Sequence, residues 1–191
     1  MTICMYDIIC VTDRKLCEED FLKRIGKIAQ TGVESIILRE KDLSASEYKL
    51  LAEEVIEICH RYGKKCILHS HPDIVAELGA DGVHVNMEMF RSMKKKDIFT
   101  GVSCHSVDEA KEAEKLGAGY IIAGHIFQTD CKKNLSPRGL EFLSHVCNAV
   151  KIPVYAIGGI NMNNMESVIN AGASGGCIMS GFMRGNISEY R

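Results

Sequence analysis

Short apolar runs recur along the chain, and the stretches between them carry apolar residues every three to four positions. The runs are Tyr6 to Val11, Ser35 to Leu38, Cys66 to Leu68, Gly82 to Val85, Ile98 to Ser103, Tyr120 to Ala123, Pro153 to Ile157 and Gly176 to Met179. An apolar run without alternation is the mark of a strand buried on both faces. The intervening stretches predict helices over about Glu18 to Gln30, from Ser44 to Gly63, from Pro72 to Gly79, and over Asp108 to Leu116, Pro137 to Val150 and Asn161 to Ala171. Ser44 with Glu47 three residues on reads as a capping box. The helix it opens sets Leu50, Leu51, Val55, Ile58 and Cys59 on one face, and Gly63 ends it. After the eighth run only a helical stub, Phe182 to Tyr190, has room to form.

Strict alternation of strand and helix implies parallel strands joined by crossover helices. Eight such units predict a closed (β/α)8 barrel, compact at 191 residues, with trimmed loops and a short last helix. An open doubly wound sheet is the competing arrangement, and an eight-unit alternation fits a barrel better. No repeat, low-complexity tract or linker marks a second domain, so residues 1–191 read as one barrel domain.

A net charge of −2 supports neither nucleic-acid nor anionic-membrane binding, both of which need a concentrated basic surface. The apolar runs are too short to span a bilayer. The opening MTICMYDIICVTD has no basic leader and reads as a first strand rather than a signal peptide. The nine cysteines sit singly, with no C-x-x-C pair. Cys10, Cys66 and Cys177 lie in or beside apolar runs as small hydrophobes, so the expectation is free thiols in a reducing, cytoplasmic compartment. No ligand spacing supports a zinc site.

In a barrel of this kind the chemistry gathers at the C-terminal ends of the strands. That rule collects Asp13, Arg39, Lys41, His69, His84, Ser103, His105, the segment His125 to Lys132, Gly158-Gly159 and Ser180-Gly181. The loops after strands seven and eight are the fold's usual phosphate cradle, and small residues let backbone N–H groups approach an anion. Gly158, Gly159, Met179 and Ser180 are therefore the expected phosphate-binding residues. A tight turn into a helix is the plainer reading of the Gly-Gly pair. Of the histidines, His60 and His145 fall in helices, and His84 reads as a satisfied core residue. His125 directly follows a strand-ending glycine in the polar run GHIFQTDCKK, where an imidazole can exchange protons near neutral pH.

LREK at 38–41, LGADGVH at 78–84, GVSCHS at 101–106, GHIFQTDCKK at 124–133, IPVYAIGGI at 152–160 and NAGASGGCIMSG at 170–181 together resemble the thiamin phosphate synthase and TenI superfamily of (β/α)8 barrels. The resemblance covers nearly the whole chain. Its synthases join a pyrimidine pyrophosphate to a thiazole phosphate and hold Mg²⁺ with an aspartate after strand three and another after strand four. The matching positions here are Ser70, in the pair His69-Ser70, and Met89, in NMEM. Ile37 stands where synthases carry a glutamine, and FQTDCK at 127–132 keeps Thr129 and Lys132 but replaces a second threonine with Cys131. Serine and methionine are poor partners for a hard cation.

On that ground the run GHIFQTDCKK looks closer to TenI. The expectation is an isomerase, a thiazole tautomerase that aromatises a carboxylated thiazole phosphate, with His125 as the acid/base. Arg39, Lys41, Ser103, His105, Thr129, Asp130, Cys131 and Lys132 are the implied substrate-binding residues. His105 is a second-choice acid/base, and Cys131 is placed in packing rather than proton donation. No metal or cofactor is implied, and a homodimer is implied by analogy to relatives. A synthase-like transferase and a non-catalytic regulatory relative are the alternatives; the first would need metal-dependent transfer, and the second would bind without turnover.

Overall fold

The computed structural model describes residues 6–94, 97–129 and 135–190. Eight parallel strands follow one another around a closed barrel in sequence order. They are β1 (Asp7–Val11), β2 (Ser35–Leu38), β3 (Lys65–His69), β4 (Gly82–Asn86), β5 (Thr100–Cys104), β6 (Tyr120–Gly124), β7 (Val154–Ile157) and β8 (Gly175–Ile178). The alternating helices are α1 (Phe21–Ala29), α2 (Ala45–Arg61), α3 (Val75–Leu78), α4 (Met87–Ser92), α5 (Val107–Lys115), α6 (Gly139–Ala149), α7 (Met165–Asn170) and α8 (Ser180–Arg184). The barrel, rather than the open sheet, is therefore the fold, and β2 and β6 are buried along their whole length as their unbroken apolar runs require. No helix among the described residues is long and apolar enough to cross a membrane.

By internal contacts the chain divides into two compact units: Met1–Val83 with Met179–Arg191, and His84–Ile178. The first holds β1 to β3 in parallel register, with Ile37 opposite Ile67 and Leu38 opposite Leu68. Ser44 caps α2 as expected, its hydroxyl accepting from the Glu47 amide while the Glu47 carboxylate accepts from the Ser44 amide. Arg24 is buried on α1, where its guanidinium donates to the carbonyls of Phe182 and Gly185, each at 2.6 Å, and pairs with Glu19. The second unit continues β4 and holds β5 to β8. Inside it the rings of Phe99 and Tyr155 lie 5.6 and 5.8 Å from that of Tyr120.

The fully buried Tyr48 of α2 ties two strand ends together. Its hydroxyl donates to the Leu38 carbonyl at 2.7 Å and accepts from the His69 amide at 3.0 Å. Tyr48→Phe leaves both backbone groups short of a partner, so it is expected to cost about 1–3 kcal/mol. A lower urea midpoint with an unchanged slope checks this.

Candidate functional site

Within the first unit, the residues that follow β1, β2 and β3 form one polar cluster. Glu40 is its buried anchor at 4% exposure. Its carboxylate accepts from the Thr12 hydroxyl at 2.6 Å and from the Arg14 amide at 3.1 Å to each oxygen. The Arg14 guanidinium stands 3.6 Å from Glu40 and 2.7 Å from Asp42. Burial raises the Glu40 pKa, opposed by the Thr12 and Arg14 hydrogen bonds. Arg14, above all, holds the Asp42 carboxyl down at about 2. Asp13 is spent locally, accepting from the Lys15 amide at the start of a 3-10 turn, Arg14–Leu16.

Arg39 and Lys41 flank Glu40 in sequence. The Arg39 amide donates to the Thr12 hydroxyl at 2.9 Å, while its guanidinium has no carboxylate partner among the described residues. His69 closes β3, and burial drives its ring pKa down to about 4, with Arg39, Lys41 and His71 pushing the same way. The ring is therefore neutral at pH 7. Its Nδ1 lies 3.0 Å from the Ser70 hydroxyl. Ser70 takes a φ of +64°, a left-handed conformation that costs a non-glycine residue energy and concentrates at ligand sites. The His71 ring stacks on Tyr48, centroid to centroid 4.0 Å.

The second unit gathers a different set. His84 is a satisfied core residue as expected, with Nδ1 3.2 Å from the Tyr120 hydroxyl and Nε2 2.8 Å from Ser103. Ser103 is therefore held by His84. His105 is exposed, and its Nδ1–H donates to the Gly124 carbonyl at 3.1 Å. His125 is buried at 5% exposure, and its Nε2–H donates to the Leu135 carbonyl at 3.3 Å. Its backbone carbonyl accepts from the Arg138 amide, and Ile126 and Phe127 donate to the carbonyls of Ile157 and Gly158. The segment after β6 is thus laced to the end of β7.

Gly158 and Gly159 take φ of +98° and +67°, in the region that favours glycine. A Cβ on Gly159 would stand 2.6 Å from the Gln128 carbonyl oxygen and 2.8 Å from the Phe127 Cβ. The Gly159 carbonyl is taken by Asn164 at 2.8 Å, while the amides of Gly159 and Ile160 have no acceptor among the described residues. Consecutive unspent amides that follow two left-handed glycines are the making of an anion nest. Thr129 is half-buried, and Asp130, Cys131 and Lys132 lie outside the described residues. In the first unit Met179 is half-buried and accepts from the Met183 amide, and Ser180 is exposed at the start of α8.

Thr12, Glu40, Tyr48 and His71 belong to the first cluster but were not expected there. Glu40 sits in the charged turn Arg39-Glu40-Lys41-Asp42, and carboxylates are rarely buried, so its sequence gives no sign of burial. The available signal is a threonine at the end of one parallel strand facing a carboxylate at the end of the next.

The residues at the expected metal positions do not suit a hard cation. Ser70 offers a hydroxyl bonded to a histidine, and Met89 a thioether. No group of three or more His, Cys, Asp or Glu able to hold a metal occurs among the described residues.

The family model described as thiamine monophosphate synthase matches residues 8–182. A protein of Fusobacterium nucleatum named thiamine-phosphate synthase is 39% identical over 182 residues, covering 92% of this chain and 88% of that one. One of Aquifex aeolicus named putative thiamine-phosphate synthase 2 is 37% identical over 172 residues, covering 88% and 92%. The solved structure of thiamine phosphate pyrophosphorylase from Pyrococcus furiosus superposes with a TM-score of 0.81 at 30% identity, covering 93% of this chain and 87% of that one. These relatives overturn the expectation of an isomerase: they bear synthase names, and synthases are transferases, so the tautomerase assignment built on GHIFQTDCKK is withdrawn. With its barrel fold, the family model over residues 8–182 and its relatives in agreement, the chain belongs to the thiamine monophosphate synthase family.

Proposed function

We propose that this protein is a transferase of the thiamine-phosphate synthase type, joining a pyrimidine pyrophosphate to a thiazole phosphate. The observation that carries the reading is the 39% identity over 92% of the chain to a relative of that name. In such a transfer the new bond forms at the pyrimidine's carbon as the bond to the pyrophosphate oxygen breaks, and the electron pair leaves on pyrophosphate. The chain's own residues must therefore place two anionic groups and stabilise the charge that develops on the leaving one.

The nest at Gly159 and Ile160 supports a role in holding a phosphate through backbone N–H groups. Met179 and Ser180 keep the phosphate-binding role that their place after β8 gave them, as do Gly158 and Gly159. Arg39 and Lys41 are proposed for the pyrophosphate, and Thr129, Asp130, Cys131 and Lys132 for substrate contacts beside the β6 end. Ser103 and His105 act by supporting neighbours, through His84 and the Gly124 carbonyl. The transfer removes no proton from carbon in the step above. His125 is accordingly proposed as a positioning residue that fixes the segment after β6 through Leu135.

A second reading is favoured by Ser70 and Met89: a family member that binds phosphorylated ligands without joining them. Incubation with both phosphorylated substrates separates the two. Thiamin phosphate formed in proportion to enzyme and time is the expected result. Saturable binding of thiazole phosphate with no product after long incubation would overturn the transferase reading.

A further inference from the structure

We infer that Tyr120 is a positioning residue for the transfer: acting through His84, it fixes the Ser103 hydroxyl as a hydrogen-bond donor toward the substrate. The substrate's part in this rests on the transferase reading; the order of the three groups rests on the geometry below.

The register sets the groups along one face of β5 and β6. Gly101 pairs with Tyr120, so Ser103 lies two residues further along β5 on the same face, about 7 Å on. His84 spans the gap, with one ring nitrogen on each hydroxyl. Tyr120 is 4% exposed and His84 3%, whereas Ser103 is half-buried, so the serine end of the chain is the one that reaches solvent. The phenol is held in place. The Phe99 and Tyr155 rings brace it, and Gly101 leaves room for its tip, since an added Cβ there would collide with the Tyr120 ring and hydroxyl.

The direction of the hydrogen bonds follows from the buried end. Burial raises the Tyr120 pKa, so the phenol keeps its proton at pH 7. A buried O–H needs an acceptor, and the partner of this hydroxyl among the described residues is His84 Nδ1. With Nδ1 accepting, the ring hydrogen sits on Nε2, which donates to the Ser103 oxygen at 2.8 Å. Ser103 thus supports His84 as an acceptor and keeps its own proton to give elsewhere. The opposite tautomer would strand the phenol proton in the core and turn the Ser103 lone pairs, rather than its proton, toward the substrate. A hydroxyl ordered in this way suits an oxygen or nitrogen acceptor on the substrate and opposes an N–H there.

Long-range proton–nitrogen NMR of the imidazoles in the whole protein reads this order. The His84 signals, identified by their absence in His84→Gln, should show hydrogen on Nε2 and none on Nδ1 at pH 7. In Tyr120→Phe, which keeps the ring and drops the hydroxyl, the pattern should shift toward Nδ1–H. Transfer kinetics give the second readout. Tyr120→Phe should lower kcat/KM about tenfold and Ser103→Ala about 10- to 100-fold, as loss of one donor to a charged acceptor does. The double variant should be no slower than Ser103→Ala, because both changes act through one hydroxyl. Hydrogen on Nδ1 in the unmodified protein overturns the inference, whether or not Tyr120→Phe folds. So does a double variant whose loss is the product of the two single losses, or a slowed Tyr120→Phe whose His84 pattern is unchanged. Transfer with hydrogen on Nδ1 removes the inference and leaves the transferase reading standing. Hydrogen on Nε2 with no transfer keeps the order of the three groups and removes that reading.

Discussion

Gly158→Ala is expected to destabilise the protein by about 2–5 kcal/mol, combining a strained backbone with overpacking. At φ +98° an L side chain is strained whatever the space around it, and here there is none. The added Cβ would collide with the His125 Cβ and stand 2.9 Å from its Cα and 3.2 Å from the Ile126 nitrogen. Two of these three neighbours are main chain, held by the hydrogen bonds of Ile126 and Phe127 to Ile157 and Gly158, so they cannot swing aside. For a chain of this size each 1 kcal/mol moves the melting temperature by about 2–4 °C. A drop of roughly 10 °C is therefore the expected reading. Gly26→Ala on α1 is the control, since nothing lies within 4 Å of its added Cβ. That change should leave stability equal or raised by up to about 1 kcal/mol. Equal melting temperatures for the two variants would show that the β6–β7 contact yields freely.

The strands were legible because a buried parallel strand leaves an unbroken apolar run. β2 was read to the residue, while β5 begins at Thr100 rather than Ile98. Short helices were less legible. α3 is a single turn, Val75–Leu78, although Pro72 was expected to open a longer helix, and Gly79 closes it in the left-handed conformation. α4 was not anticipated, since six residues are too few to show a period. Its one signal is Asn86, whose side chain accepts from the Met89 amide. The stub expected over Phe182 to Tyr190 is split into α8 and a 3-10 turn, Ile187–Tyr190, with Gly185 capping the first.

The site divides the same way. His84 could be read because a histidine within an apolar strand must be satisfied where it lies. Cys66 and Cys177 are buried thiols as expected, and burial raises the pKa of Cys177. The chemistry was misassigned because two missing carboxylates were weighed above the rest of the chain. A change of ligand type at one subsite says how charge is neutralised there. It does not by itself say which bond is made.

Glu40 was missed altogether, and the largest loss at the β2–β3 end is expected from removing it. Glu40→Ala leaves the Thr12 hydroxyl and the Arg14 amide without their acceptor, and Arg14 without a buried partner. Breaking such a group from one side costs about 3–5 kcal/mol. Glu40→Gln keeps an acceptor for both donors and should cost far less. Titration of Glu40 gives the pair a second signature. Burial raises its folded pKa above the unfolded value of about 4.3. The stability this contributes is fully present below the unfolded pKa and is lost as pH rises through the folded one. Glu40→Gln has no such titration, so its deficit relative to the unmodified protein should be largest near pH 4 and narrow toward pH 7. Urea melts of the three proteins across that range make the measurement; a deficit that widens with pH would mean that attraction to Arg14 outweighs burial. Because Glu40 lies between Arg39 and Lys41, Glu40→Ala should also loosen the residues proposed to hold pyrophosphate. Its affinity should fall about tenfold or more at a temperature where the variant is still folded, while Glu40→Gln stays close to the unmodified protein.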